Sequence, residues 1–301
     1  MRIDDHILKN VVFIGLPQAD AKFPEWVYDE QTAEIDGSIH WGGTGFFLTV
    51  DDPPGNPIIF NYLVTAKHVA DAIEGKAAIL RMNSQGGGPA FFNVPAHAKW
   101  WRHPETPDSV DVAVLPWMPP HDIADFALMQ AHEWLLTDEI IKKRNIGPGD
   151  NVYAVGLFSL ALGRGRNIPI VRAGHIAIMS KEKIPGIRIG HWSGEAEVYV
   201  VEARSIGGLS GSPVFVRGTV NVPIKAANDG ENLVMHGVGH PHLLGLVHGH
   251  WVIPAATINE VRIKPTRERS EANLGLAIVV PAHKILEVLN HPELVEMRRK
   301  N

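Results

Sequence analysis

Short apolar runs, each closed by glycine, proline, asparagine or aspartate, make up most of this chain. Runs of that length bounded by turn residues are the pattern of buried β-strands rather than of helices. In the first half they predict strands over residues 10–16, 41–50, 58–65, 77–82, 90–94 and 111–117, with Asp51-Asp52-Pro53-Pro54-Gly55-Asn56-Pro57 as the plainest turn between them. In the second half they predict strands over 151–156, 169–179, 196–203, a strand opening at Pro213, and strands over 243–250 and 274–281. Between the halves the period changes. Residues 122–136 and 137–144 have helical spacing, and Thr137 followed by Asp138 and Glu139 has the form of an N-cap with acids in the first turn. Gly147-Pro148-Gly149 ends that segment. A helix is expected over 282–289, and Pro292 is placed to start a final one. Polar stretches at 227–232 and 263–273 are expected to be loops, the second of them mobile.

Composition agrees with this pattern. The chain has 301 residues, 45% hydrophobic and 20% charged, with Gly 29 and Pro 22, which suits a turn-rich globular protein with two packed units. The expected division is 1–118, 119–147 for the helical connection, and 148–301 with the C-terminal helix. A net charge of −5 gives no electrostatic footprint for nucleic acid. Gly163-Arg164-Gly165-Arg166 is the clearest small basic knot, and it reads as a solvated loop. With Cys 0, stability must come from the cores alone. The N-terminus carries acids where a signal peptide wants positive charge, and the run from Val11 to Leu16 is too short to span a membrane. The expectation is a cytoplasmic protein without membrane contact.

Candidate chemistry centres on Gly207-Gly208-Leu209-Ser210-Gly211-Ser212-Pro213-Val214-Phe215. Glycines on both sides of a serine let the backbone turn tightly and bring N–H groups close to a ligand. An exposed Ser210 Oγ, with the N–H groups of Gly208 and Ser210 aimed at a developing oxyanion, is what acyl transfer requires. The plain alternative is a glycine-rich turn. The α/β-hydrolase elbow is excluded, because G-x-S-x-G would need glycine where Ser212 stands and a helix where a strand follows. Serine is a weak nucleophile without a base and an orienting acid. Upstream, an apolar strand ends in Thr65-Ala66-Lys67-His68, and another opens at Asp111-Val112-Ala113-Val114-Leu115. Asp108 is a second candidate acid, placed less well with respect to that strand.

Those two motifs, the serine loop and Gly43-Thr44-Gly45-Phe46-Phe47, in the order His, Asp, Ser, resemble the trypsin-like (chymotrypsin-fold) serine peptidases, especially their bacterial, disulfide-free branch. The resemblance runs from about Val11 to the C-terminal helix. It implies an all-β fold of two six-stranded antiparallel Greek-key barrels with an inter-barrel helical connection and a C-terminal helix. It implies a serine endopeptidase acting on polypeptides through an acyl-enzyme, with no cofactor and no metal. Ser210 would be the nucleophile, His68 the base, Asp111 the orienting acid, and Gly208 and Ser210 the oxyanion hole. The primary pocket would have Arg204, Ser205 and Ile206 at its floor and His248, Gly249 and His250 along one wall. Arg204 there would favour an acidic side chain. His248 matches the family position whose side chain touches the catalytic aspartate, while the glutamyl endopeptidases carry a histidine one residue earlier. Leu209 stands where the animal enzymes have an aspartate that pairs with a new N-terminus, so regulation would come from loop ordering, a regulatory protein partner or a homo-oligomer.

Other readings compete. His236, His240, His242, His248 and His250 lie close in sequence, but with no cysteine and few acids nearby they read as ordinary histidines rather than a zinc site. His132-Glu133 is not a zincin, since Leu136 stands where the second histidine belongs. A catalytically silent pseudo-peptidase serving as a protein-binding module, and a hydrolase of small esters or amides on the same fold, remain the alternatives.

Overall fold

The computed structural model describes residues 3–18, 26–27, 37–52, 58–203, 207–217, 240–254 and 271–300. In the first half the elements are helix α1 (Asp5–Asn10), strands β1 (Val11–Pro17), β2 (Trp26–Val27), β3 (Ile39–Asp51) and β4 (Ile59–Thr65), helix α2 (Lys67–Ile73), and strands β5 (Ala78–Ser84), β6 (Pro89–Val94), β7 (Trp101–Arg102) and β8 (Ala113–Pro116). The connection contains β9 (Ala124–Asp125), β10 (Met129–Gln130), α3 (Ala131–Trp134) and α4 (Asp138–Arg144). In the second half come β11 (Asn151–Gly156), β12 (Ile170–Ile178), β13 (Ile184–Ile189), β14 (Trp192–Ala196), β15 (Tyr199–Glu202), β16 (Pro213–Arg217), β17 (His242–Pro254), β18 (Glu271–Pro281), α5 (Ala282–Leu289) and α6 (Pro292–Lys300).

The molecule is mostly β. Its second half is a closed six-stranded barrel in the order β11-β12-β15-β18-β17-β16. The first half differs from the expected six-stranded closure. It is a ten-stranded sheet with the path β2-β6-β5-β1-β3-β4-β8-β7, which does not close among the described residues. Four of its strands are two-residue pieces at its edges, too short to show as a hydrophobic pattern in sequence. Phe13, Phe46, Phe47, Leu63, Leu80, Val155, Phe215 and Val279 all belong to one buried cluster that runs through both halves. Burial of this kind contributes roughly 25 cal/mol per Å² of apolar surface and replaces the disulfides the chain lacks.

The connection also corrects the expected helix over 122–136. Ala124–Asp125 instead pairs with Ser84 and Asn83, and Met129 pairs in parallel with Leu48. Apolar residues at 123, 126, 127, 128 and 129 mimic a helical period, but the sheet edge offers the backbone better partners. The buried Asn10 side chain takes the Ala127 carbonyl (2.8 Å) and the Phe47 carbonyl (2.9 Å), holding the segment flat against β3. The helix at 138–144 is present as expected. Thr137 Oγ1 accepts from the Ile140 N–H at 3.3 Å, and Asn145 ends it in the left-handed region at φ 52°. The expected strand over 196–203 starts later, at Tyr199, because residues 184–196 form a separate β13–β14 hairpin with a small core of Ile187, Ile189, Ala196, Val198 and Ile278. Residues 227–232, and 263–270 of the second expected loop, lie outside the described residues. No described helix is long and apolar enough to cross a membrane.

Candidate active site

Strand β4 ends at Thr65, and the chain turns directly into α2, so His68 sits in the first turn of a helix whose first N–H groups have no intrahelical partner. Asp111 supplies one. It lies just ahead of β8, is 1% exposed, and its Oδ1 accepts the His68 backbone N–H at 2.9 Å. Its Oδ2 accepts from His68 Nδ1 at 2.8 Å. One carboxylate therefore fixes both the backbone and the ring of His68. With Nδ1 donating, the neutral imidazole keeps its lone pair on Nε2.

The same Oδ2 takes a third bond, from His248 Nδ1 on β17 at 2.5 Å. The His68 and His248 rings meet edge to face with centroids 5.5 Å apart. Burial works to raise the Asp111 pKa, but the hydrogen bonds from His248 and His68 outweigh it and hold the carboxyl well below the usual range. For His68, burial pulls downward while the hydrogen bond and charge of Asp111 push upward, and the result lies above the ordinary 6.5. His68, Asp111 and His248 each offer one donor atom, all within 4.8 Å of one another, which is a metal-like donor set. An ion bound to all three at ~2.0–2.2 Å would spread those atoms beyond hydrogen-bond contact, whereas here both nitrogens touch the same oxygen. The arrangement is that of one carboxylate oxygen shared by two imidazole nitrogens.

Ser210 belongs to the loop that leads into β16. Gly208 (φ 96°) and Gly211 (φ 84°) take left-handed conformations there. At Gly211 a Cβ would meet the Thr44 carbonyl oxygen at 2.1 Å and Thr65 Oγ1 at 2.4 Å, so the loop presses against the first half of the chain with no room for a side chain. Thr44 on β3 fastens it. Its N–H donates to the Ser210 carbonyl (2.9 Å), its Oγ1 donates to the Gly208 carbonyl (2.7 Å), and that Oγ1 accepts the Leu157 N–H (2.9 Å). On the other flank, the Gly211 N–H donates to the Val247 carbonyl at 2.8 Å. Among the described residues no acceptor takes the Gly208 or Ser210 N–H. Ser210 Oγ donates to the His248 carbonyl at 3.2 Å.

The sequence-predicted residues His68, Asp111, Gly208, Ser210 and His248 thus meet across the two halves of the molecule, joined through His248. The His248 ring turns to Asp111, the contact expected for its position, while its backbone carbonyl faces Ser210 Oγ. Gly249 and His250 follow it along β17, with His250 exposed. Arg204, Ser205 and Ile206, the expected pocket floor, lie outside the described residues, as does His236. His242 is a core histidine, its pKa pulled down to about 4 chiefly by burial. Among the described residues, the carboxylate bonded to His68 is that of Asp111 and not that of Asp108.

Sequence reasoning missed two supports. Thr44 belongs to the Gly43-Thr44-Gly45 motif, but its bonds span 113 and 164 residues and leave no local signal. His103 sits ahead of Asp111. Its Nδ1 accepts from the N–H groups of Glu105 (3.2 Å) and Thr106 (3.0 Å), which leaves Nε2 to donate to Glu287 on α5 at 2.5 Å. That tie anchors the loop delivering Asp111 to the C-terminal helix.

No protein-family model matches the chain, and no curated protein matches it in sequence. Among solved structures, the active form of the Rv3671c protease from M. tuberculosis aligns over 95% of this chain and 82% of its own, at 15% identity and a TM-score of 0.44. The HtrA-type protease AlgW with a decapeptide aligns over 97% of this chain and 73% of its own, at 14% identity and a TM-score of 0.44. Both likenesses are to proteases. At that distance they assign nothing, and the functional reading rests on the side chains themselves.

Proposed function

We propose that the chain is a serine endopeptidase of the chymotrypsin type, with Ser210 as nucleophile, His68 as general base and Asp111 as the orienting acid. The observation that carries this reading is the buried Asp111 carboxylate, which binds the His68 backbone through one oxygen and its Nδ1 through the other. That geometry leaves Nε2 basic and aimed away from Asp111. The mechanism requires Ser210 Oγ to leave the His248 carbonyl, its partner here, and turn to His68 Nε2. His68 then accepts the proton as Oγ attacks the substrate carbonyl and returns it to the leaving amine, while Asp111 stabilises the imidazolium. The unclaimed N–H groups of Gly208 and Ser210 receive the oxyanion. Water repeats the sequence on the acyl-enzyme.

Cleavage of a denatured protein mixture tests this. Ser210→Ala or His68→Ala, each purified and folded by circular dichroism, is expected to lower turnover by ~10⁴-fold or more. Undiminished turnover in either variant removes the assignment. The silent-module reading draws on the Ser210 Oγ bond to the His248 carbonyl, which occupies the serine in the resting state. A wild type that cleaves neither proteins nor small esters, yet binds polypeptides, decides for it.

A further inference from the structure

We infer that the loop between β11 and β12 is a docking surface for acidic residues of a polypeptide substrate on the leaving-group side of the scissile bond. The inference rests on the peptidase reading above. Its first support is topological. The serine loop runs into β16, and β16 lies between β11 and β17, with Val214 beside Ala154 and Pro213 beside Leu246. Beyond those pairs, β17 continues to His248 on one flank of Ser210, and β11 continues to Leu157 on the other. Leu157 lies against Gly208, with its side chain 3.0 Å from where a Cβ there would stand. On the peptidase reading, with the acyl side of the substrate along the His248–His250 wall implied by the family resemblance, the leaving-group side lies toward the opposite flank, where Leu157 opens the 157–169 loop.

Charge is the second support. Over residues 157–169 the chain carries Arg164 and Arg166 and no acid, although the whole molecule has a net charge of −5. Both arginines are exposed, and among the described residues neither forms an ion pair. Leu160 beside them is 86% exposed and Ile168 is 51% exposed, which adds an apolar component.

Rigidity is the third support, because a solvated floppy loop would lose its contact energy to ordering. This loop is latched from the other half of the molecule. Arg81 on β5 is 0% exposed, and its guanidinium donates to the carbonyls of Leu162 (3.2 Å) and Gly163 (2.5 Å) and to Asn167 Oδ1. Asn167 Nδ2 donates back to the Arg81 carbonyl at 2.7 Å, and the Asn167 N–H donates to Asn83 Oδ1 at 2.8 Å. The Ile168 N–H closes the loop on the Leu162 carbonyl at 2.9 Å. A buried arginine that spends its donors on a loop backbone presents Arg164 and Arg166 from a fixed frame.

The test uses two quenched peptides, identical up to the scissile bond and carrying either glutamates or glutamines after it. Exposed charge pairs are each worth up to ~1 kcal/mol, so wild type is expected to favour the acidic peptide in kcat/KM by about tenfold at low salt, with the preference shrinking as salt is added. Arg164→Glu/Arg166→Glu is expected to abolish or reverse that ratio. A ratio within about twofold of unity in wild type, or one unchanged in the double variant, overturns the inference. Fluorescence anisotropy of the same labelled peptides on Ser210→Ala separates the two readings. If wild type cleaves neither these peptides nor the denatured protein mixture, the peptidase reading fails. Arginine-dependent binding of the acidic peptide then keeps the surface as an acidic-polypeptide site, and its absence overturns that as well.

Discussion

Asp111 accepts three hydrogen bonds through two oxygens while 1% exposed, and each bond serves a different part of the site. The backbone bond places His68, the bond to its Nδ1 sets the tautomer, and the His248 bond ties the first half to β17. These bonds have a sign in pH. Asp111 is held below its ordinary 3.8, so the stability it contributes is present above that value and is lost as pH falls through the folded value. His68 is held above 6.5, and a base must be neutral to work, so activity should rise with pH along a limb centred above 6.5. In Asp111→Asn the upward push is gone and the tautomer is no longer enforced. Its pH–kcat/KM profile should show that limb moved to lower pH and a plateau down by ~10⁴-fold. An unmoved limb would detach Asp111 from His68. The residue types of this cluster were legible because serine between glycines, Thr-Ala-x-His and an aspartate ahead of an apolar strand are local patterns. The inward turn of His248 was visible only by position, and the bonding role of Thr44 not at all, since its partners are far away in sequence.

At the scale of elements, the serine loop has its shape because glycine occupies the two positions where the backbone turns left-handed. Gly211→Ala puts a methyl group 2.1 Å from the Thr44 carbonyl oxygen, in a conformation that costs an L-residue ~1–2 kcal/mol before any clash. The loop must shift away from β3, so the variant should lose turnover by at least ~10²-fold while the barrel remains folded, as read by near-native circular dichroism and kinetics. Full activity would mean that the loop is not held as described. Strands were easier to read than the connection. Long central strands such as β3, β4, β11 and β17 carry their hydrophobic run with them, whereas β9 and β10 are decided by which sheet edge is open. The β13–β14 hairpin escaped detection because its fully buried residues are Ile187, Ile189 and Ala196, with Ile184 and Trp192 half-buried and polar or exposed residues between.

Across the whole molecule, ties of high sequence separation do what disulfides would otherwise do. Thr44 and Arg81 bind the second half to the first, and the C-terminal helix α6 binds back to the end of β3 and to β4. Arg298, 3% exposed, donates to Asp52 (3.0 Å), Tyr62 Oη (3.1 Å) and the Leu289 carbonyl (2.8 Å). Removing one partner of such a buried network costs about 3 kcal/mol, so Arg298→Ala should lower the unfolding midpoint by several degrees while Ser210 keeps its reactivity. An unchanged midpoint would deny α6 that role. None of these ties shows in the amino-acid pattern, which reports burial face by face and not which distant faces meet. The central claim is that His68 and Asp111 activate Ser210, and a fluorophosphonate probe with mass-spectrometric localisation measures that activation directly. Stoichiometric labelling of Ser210 in wild type, lost in His68→Ala and in Ser210→Ala, is the predicted result. No adduct on folded wild-type protein, or an adduct that survives His68→Ala, would contradict it.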